Sequence, residues 1–98
     1  MGADSHTASL FPGDPLIHDL TSLTGVALRE VPRVTLMRAV LESALHTVIL
    51  ATGADKAEPL RNVLRGPHEP LRYPAQINSI DPVTATWFID EAAAAGLA

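Results

Sequence analysis

Apolar residues change their spacing several times along the chain, and each change predicts an element. Residues 1–14 carry no sustained period and read as a loop. Pro15-Leu-Ile-His-Asp-Leu20 predicts a short helix, with Asp14 as N-cap and Pro15 at the first helical position. Thr21 to Gly25 is a connector, and Val26-Ala-Leu-Arg-Glu-Val31 has strand character that Pro32 ends or confines to an edge. Arg33-Val-Thr-Leu-Met37 is short and β-branched, a second strand. From about Arg38 to Leu45 the spacing turns helical, with Val40, Leu41, Ala44 and Leu45 on one face. Thr47-Val-Ile-Leu-Ala51 is continuously apolar, which suits a central parallel strand covered on both faces.

After Thr52-Gly-Ala-Asp-Lys56 the spacing predicts a helix to about Arg65, with Ala57, Leu60, Val63 and Leu64 inward. Pro59 fits it only in the first turn, where no intrahelical N–H is needed. Gly66 ends the helix, and Pro67 to Pro74 is a proline-punctuated loop. Two closing strands are expected, Ala75 to Ile80 and Val83 to Ile89. Asp90 then caps a last helix through Ala95, stopped by Gly96. Strands alternating with helices imply an α/β architecture with an at least partly parallel sheet. In such sheets ligands bind beyond the carboxyl ends of the strands.

Ninety-eight residues suffice for one small domain, 1–98, without repeats. The chain is 47% apolar, with a mean hydropathy of +0.18. That is rich for a small body and suggests faces meant for elements outside it. A net charge of −4, with seven scattered Lys and Arg, argues against nucleic acid. No apolar run reaches the length of a membrane span, and no basic-then-apolar leader follows Met1. A cytoplasmic setting is the expectation by elimination. The absence of cysteine removes disulfides and cysteine-based zinc sites, and His18, His46 and His68 form no metal-ligand spacing.

The first thirteen residues crowd Asp4, His6, Thr7, Ser9, Gly2, Pro12 and Gly13 into one stretch. Such a mixture presents polar groups to a ligand more readily than it packs a core. His6 can take a proton from water near neutral pH, and Asp4 can orient its ring; a histidine bonded to loop backbone is the plainer alternative. Lys56 sits where a strand, a glycine turn and a helix start favour an anion, although Asp55 and Glu58 equally suit a solvated lysine. Arg33 can grip a phosphate with two parallel bonds or stand as a charge at a strand edge. Ser9 lacks the setting of a hydrolase nucleophile.

The run Gly-x-Asp-x-His-Thr-Ala-Ser-Leu-Phe-Pro-Gly, residues 2–13, resembles the active-site loop of the 6-phosphogluconolactonases. These share a superfamily with the glucosamine-6-phosphate deaminases/isomerases. Val31-Pro-Arg-Val-Thr-Leu36 is similar to a second lactonase motif, and Thr47 to Ala57 to the family's strand followed by Thr-Gly-x-x-Lys-Ala. The closing Thr86-Trp-Phe-Ile-Asp-Glu-Ala-Ala93 resembles the family's C-terminus, with Trp87 and Phe88 expected in the core. The resemblance implies the C-terminal part of a Rossmann-like, mostly parallel sheet flanked by helices, its N-terminal strands missing. Met1 then reads as an internal methionine of a longer chain.

It further implies hydrolysis of 6-phospho-D-glucono-1,5-lactone, a step of the pentose phosphate pathway. His6 would be the general base, Asp4 its support, and Lys56 and Arg33 the phosphate holders, without cofactor or metal. The family has Gly where this chain has Ser5, so a positive φ there would strain the loop. It also favours Pro and Asn where Ala39 and Glu42 stand, so that asparagine's sugar contact is lost. A deaminase/isomerase is the nearer rival, but its loop glutamate has no counterpart in Thr7-Ala-Ser-Leu-Phe-Pro12. The rival of another class is a non-catalytic half that forms a homo-oligomer or pairs with a missing N-terminal half.

Overall fold

The computed structural model describes residues 1–97. Its strands form two separate two-stranded sheets. Strand β1 (Thr24–Ala27) pairs antiparallel with β2 (Arg33–Leu36), Thr24 opposite Leu36 and Ala27 opposite Arg33. The first strand thus begins inside the expected connector and ends before Leu28, so Leu28 to Pro32 form the hairpin's turn. Helix α1 (Arg38–Ser43) follows, then β3 (Thr47–Ala51), a 3-10 turn (Ala54–Lys56) and α2 (Ala57–Arg65). Strand β4 (Ala85–Ile89) returns parallel to β3, and α3 (Glu91–Ala94) closes the chain. This is α/β architecture with a parallel pair at its centre, as the alternating pattern predicts.

The parallel register, Thr47 opposite Ala85 and Ala51 opposite Ile89, brings both strands to their carboxyl ends together. Asp90 fastens those ends. Its carboxylate accepts from the Gly53 N–H at 3.1 Å through both oxygens and from the Ala93 N–H at 2.8 Å. It is therefore the expected helix cap and also a strut between the two strand-to-helix turns. The N–H groups of Ala93 and Gly53 hold its carboxyl below the ordinary carboxylate range.

Two buried clusters lie among these elements. Leu10, Ile17 and Met37 form one; Val63, Tyr73 and Ala75 form the other, with Met1 and Trp87 against it. Leu60 and Val63 face inward as their spacing predicts, and Pro59 is buried in the first turn of α2. Asp14 caps the short turn Pro15–His18, which is 3-10 and stops two residues before Leu20.

Several expectations are corrected. Residues 74–77 form a 3-10 turn, where a strand from Ala75 to Ile80 was expected. Pro74 opens that turn, and the side-chain amide of Gln76 donates to the carbonyls of Val63 and Pro67 while accepting from the Glu69 N–H. The backbone N–H groups of Ala75 and Gln76 are engaged as well, by the Ser5 and Tyr73 carbonyls, which leaves no ladder for a strand to join. Gly96 does not stop the last helix either, because a 3-10 turn runs on through Leu97. It permits close packing instead: a Cβ there would stand 2.8 Å from the Ala57 carbonyl oxygen.

Helix α1 buries no residue fully, and Leu45 lies beyond its end in solvent. Strand β3 is covered on one face only. Ala51 is buried, whereas Val48 and Leu50 are 57% and 70% exposed and Phe88 of β4 is 57% exposed. Phe88 is therefore not in the core; Trp87 is part-buried, its indole N–H donating to the Ser79 carbonyl at 2.9 Å. Alternation along each strand places these three side chains on one uncovered sheet face. No helix among the described residues is long and apolar enough to cross a membrane.

Leu60 is fully buried, so Leu60→Ala is expected to destabilise the chain by about 2–5 kcal/mol in urea denaturation. Leu50→Ser, on the uncovered face, is expected to change the stability by no more than about 0.5 kcal/mol at concentrations where the chain is monomeric.

Candidate active site

The loop of residues 1–14 has almost no regular structure of its own, only a bridge between Thr7 and Leu10. It is held from outside. The Ser5 carbonyl accepts from the Ala75 N–H at 2.9 Å, the Ser9 N–H donates to the Thr35 hydroxyl at 2.9 Å, and the Gly13 N–H donates to the Leu71 carbonyl at 2.8 Å. Thr35, buried in β2, donates its own hydroxyl hydrogen bond to the Leu36 carbonyl. Leu10 and Phe11 are buried beneath the loop and act as its apolar anchors.

Within the loop the Gly2 N–H donates to the His6 carbonyl and the Ser5 N–H to the Gly2 carbonyl, closing a tight ring around Asp4. That ring brings the first two predicted site residues together. Asp4 Oδ1 lies 2.7 Å from His6 Nδ1 and also accepts from the His6 backbone N–H at 3.0 Å. Partial burial pushes the Asp4 carboxyl up, but the backbone and ring hydrogen bonds from His6 outweigh it and hold it below its ordinary value. Ionised Asp4 can only accept, so Nδ1 carries the hydrogen and the Nε2 lone pair remains free to take a proton.

Two glycine positions matter here. A Cβ on Gly2 would stand 2.2 Å from His6 Nδ1, so only glycine lets the imidazole sit where it does. At Ser5 the chain has a side chain where the backbone is left-handed, φ +74°. The strain expected from the sequence is present, and the bond from Ala75 helps hold it in place.

Lys56 ends the 3-10 turn before α2. Its ammonium lies 3.5 Å from Asp55, and burial and then the charge of Lys56 lower the Met1 amino group. The Gly53 turn and the loop face each other across a cleft of about 370 Å³ lined by Ala3, Asp4, Ser5, Asp55 and Glu58. Both loops therefore border one cleft. The cleft is acidic, and the Gly53 N–H is already taken by Asp90.

Arg33 approaches from the Phe11 side. Its guanidinium lies 5.7 Å from the Phe11 ring centroid, and that ring is 4.6 Å from the His6 imidazole. Sequence reasoning missed Arg29, whose guanidinium lies over the same ring at 3.7 Å. A strand assigned through Val31 hid it; the turn residues before Pro32 were the available signal. Glu42 pairs with Arg38 at the neighbouring helical turn. A further cleft of about 730 Å³ between Gly13, Ile17, Arg38 and Leu71 touches neither Asp4 nor His6.

The parallel α/β pair, with the histidine–carboxylate loop and the glycine–lysine turn at its edge, is an arrangement that comparison with known proteins assigns to a family. The family model described as glucosamine-6-phosphate isomerases/6-phosphogluconolactonase matches residues 1–87, and the chain belongs to that family. It is 39% identical to the 6-phosphogluconolactonase of Rattus norvegicus and 37% to that of Homo sapiens, over 96% of this chain in each case. It spans 37% and 38% of those relatives' lengths. Among solved structures, the devB protein superposes with a TM-score of 0.83 at 38% identity, over 99% of this chain and 42% of that one. The 6-phosphogluconolactonase from Trypanosoma brucei gives 0.78 at 26% identity, over 100% and 40%.

Replacing Ser5 with Gly removes the cost of a left-handed non-glycine residue, which outweighs the added freedom of the unfolded chain. Ser5→Gly is expected to stabilise the chain by about 0.5–1 kcal/mol in urea denaturation.

Proposed function

We propose that this chain carries the water-activating loop of a 6-phosphogluconolactonase, acting on 6-phospho-D-glucono-1,5-lactone in the cytoplasm. The observation that carries the reading is the Asp4–His6 contact at 2.7 Å, with its free Nε2. Nε2 takes a proton from water as the water oxygen attacks the lactone carbonyl. The ring C–O bond then breaks, the proton returns to the departing oxygen, and 6-phosphogluconate is left. Asp4 keeps the imidazole in the right tautomer and steadies its charged form. Lys56 and Arg33 supply the cations for the phosphate, from the Met1 and Phe11 sides of the loop. The relatives' names support the lactonase, as does the lack of a carboxylate in residues 7–12 where a deaminase would need one.

The uncovered face of Val48, Leu50 and Phe88 favours a second reading, in which the 98 residues work as one unit only when further polypeptide covers that face. The occupant is a further copy or the remaining length of a lactonase, in the same polypeptide or a separate one.

Lactone hydrolysis by the purified chain, corrected for the spontaneous reaction, is expected to fall about 10²-fold or more in His6→Ala. A folded, inactive sample would instead mark the loop as non-catalytic in this chain. Light scattering across a concentration series is expected to show association that Leu50→Ser weakens; a monodisperse monomer at high concentration would remove the second reading.

A further inference from the structure

Cations on this chain divide into paired and unpaired ones. Arg38 meets Glu42, Lys56 meets Asp55 and Arg72 meets Glu69. Among the described residues, Arg29, Arg33, Arg61 and Arg65 meet no carboxylate within ion-pair distance, and of these four Arg29 and Arg33 converge on one aromatic ring. Both lie over the Phe11 ring instead, at 3.7 and 5.7 Å. Phe11 is buried, so this platform is fixed, and its ring touches the His6 imidazole. A ring face attracts a guanidinium without neutralising it, so both charges remain available to a ligand. Arg29 and Arg33 also line a recess of the hairpin turn, together with Leu28, Val31 and one carboxylate, Glu30.

The opposite side of the loop has the other character. There Lys56 is paired with Asp55, the Gly53 N–H is taken by Asp90, and Asp4, Asp55 and Glu58 line the cleft. An anion entering there meets three carboxylates and one shared cation.

The geometry points to an oxyanion clamp made by Arg29 together with Arg33 on the Phe11 platform. It takes the anionic group of the ligand, a phosphate monoester or a carboxylate, one ring's width from His6. Arg29 thereby becomes a ligand-binding residue beside Arg33, and the stronger anion site moves from the glycine turn to the hairpin turn. Two planar guanidinium forks suit a tetrahedral or planar oxyanion better than one shared ammonium does. The clamp rests on the lactonase reading only for the identity of its natural ligand.

Inorganic phosphate and gluconate are titrated separately, at constant ionic strength, into isotope-labelled chain while the arginine Nε–H and His6 ring signals are followed. Phosphate is expected to shift Arg29, Arg33 and His6, and Arg29→Gln to weaken it about tenfold or more, with Arg29→Lys restoring only part. The same response to gluconate, but not to phosphate, supports the clamp with a carboxylate as occupant. Shifts confined to Lys56 and Gly53, no shift with either anion, or unchanged affinity in Arg29→Gln would overturn it. Arg29 is exposed, so its variants leave the core intact. Because binding is read directly, a failure of lactone hydrolysis would bear on the lactonase reading and leave this result standing.

Discussion

The structure depends on fastening a loop that cannot hold itself. Bonds inside the first fourteen residues set the His6 ring against Asp4, but with one bridge, between Thr7 and Leu10, they do not place that loop on the rest of the chain. Three hydrogen bonds to distant segments do so, donated by Ala75 and accepted by Thr35 and Leu71, with Leu10 and Phe11 buried beneath. Each is a tertiary contact between segments far apart in sequence. The Thr35 bond explains why the β2 hairpin is more than a scaffold: one short strand carries both the hydroxyl that anchors the loop and, at Arg33, a cation aimed at its aromatic.

Charge is distributed with a similar division. The Gly53 turn has the form of an anion site, but its first N–H and its lysine are already engaged by Asp90 and Asp55. Asp90 uses that engagement to tie the carboxyl ends of β3 and β4 into one edge. Among the described residues the hairpin turn offers its arginines no such carboxylate partner, and the ring of the buried Phe11 holds them without cancelling them. The same net charge of −4 thus covers a cleft lined by Asp4, Asp55 and Glu58 and a hairpin recess where two arginines outnumber Glu30.

Strain and exposure mark where this chain departs from a self-sufficient fold. Ser5 keeps a left-handed backbone that glycine would adopt freely, fixed because its carbonyl is bonded to Ala75. Gly2 is the reverse case, a residue without a side chain because the His6 ring occupies that volume. The uncovered side chains of Val48, Leu50 and Phe88 form an apolar face on the central parallel pair, in a chain that spans about two fifths of its relatives' length.

Local rules made much of this legible in advance. Asp14 and Asp90 cap as their positions before helical runs require, the β-branched run from Arg33 makes a strand, and the continuous run from Thr47 makes a parallel one. The Asp4–His6 pair was legible because two residues of separation in a tight turn leave little choice of partner. What only the tertiary structure decided involves groups brought together from afar. Gln76 turned an expected strand into the lock on α2, because a side-chain amide answering helix-end carbonyls leaves no sign in local spacing. Arg29 reached Phe11 because the hairpin turned earlier than its proline suggested, and a guanidinium's partner is set by where the backbone delivers it. Sequence determined which segments could be strand, helix or loop; packing determined which face was covered and which charge was left free.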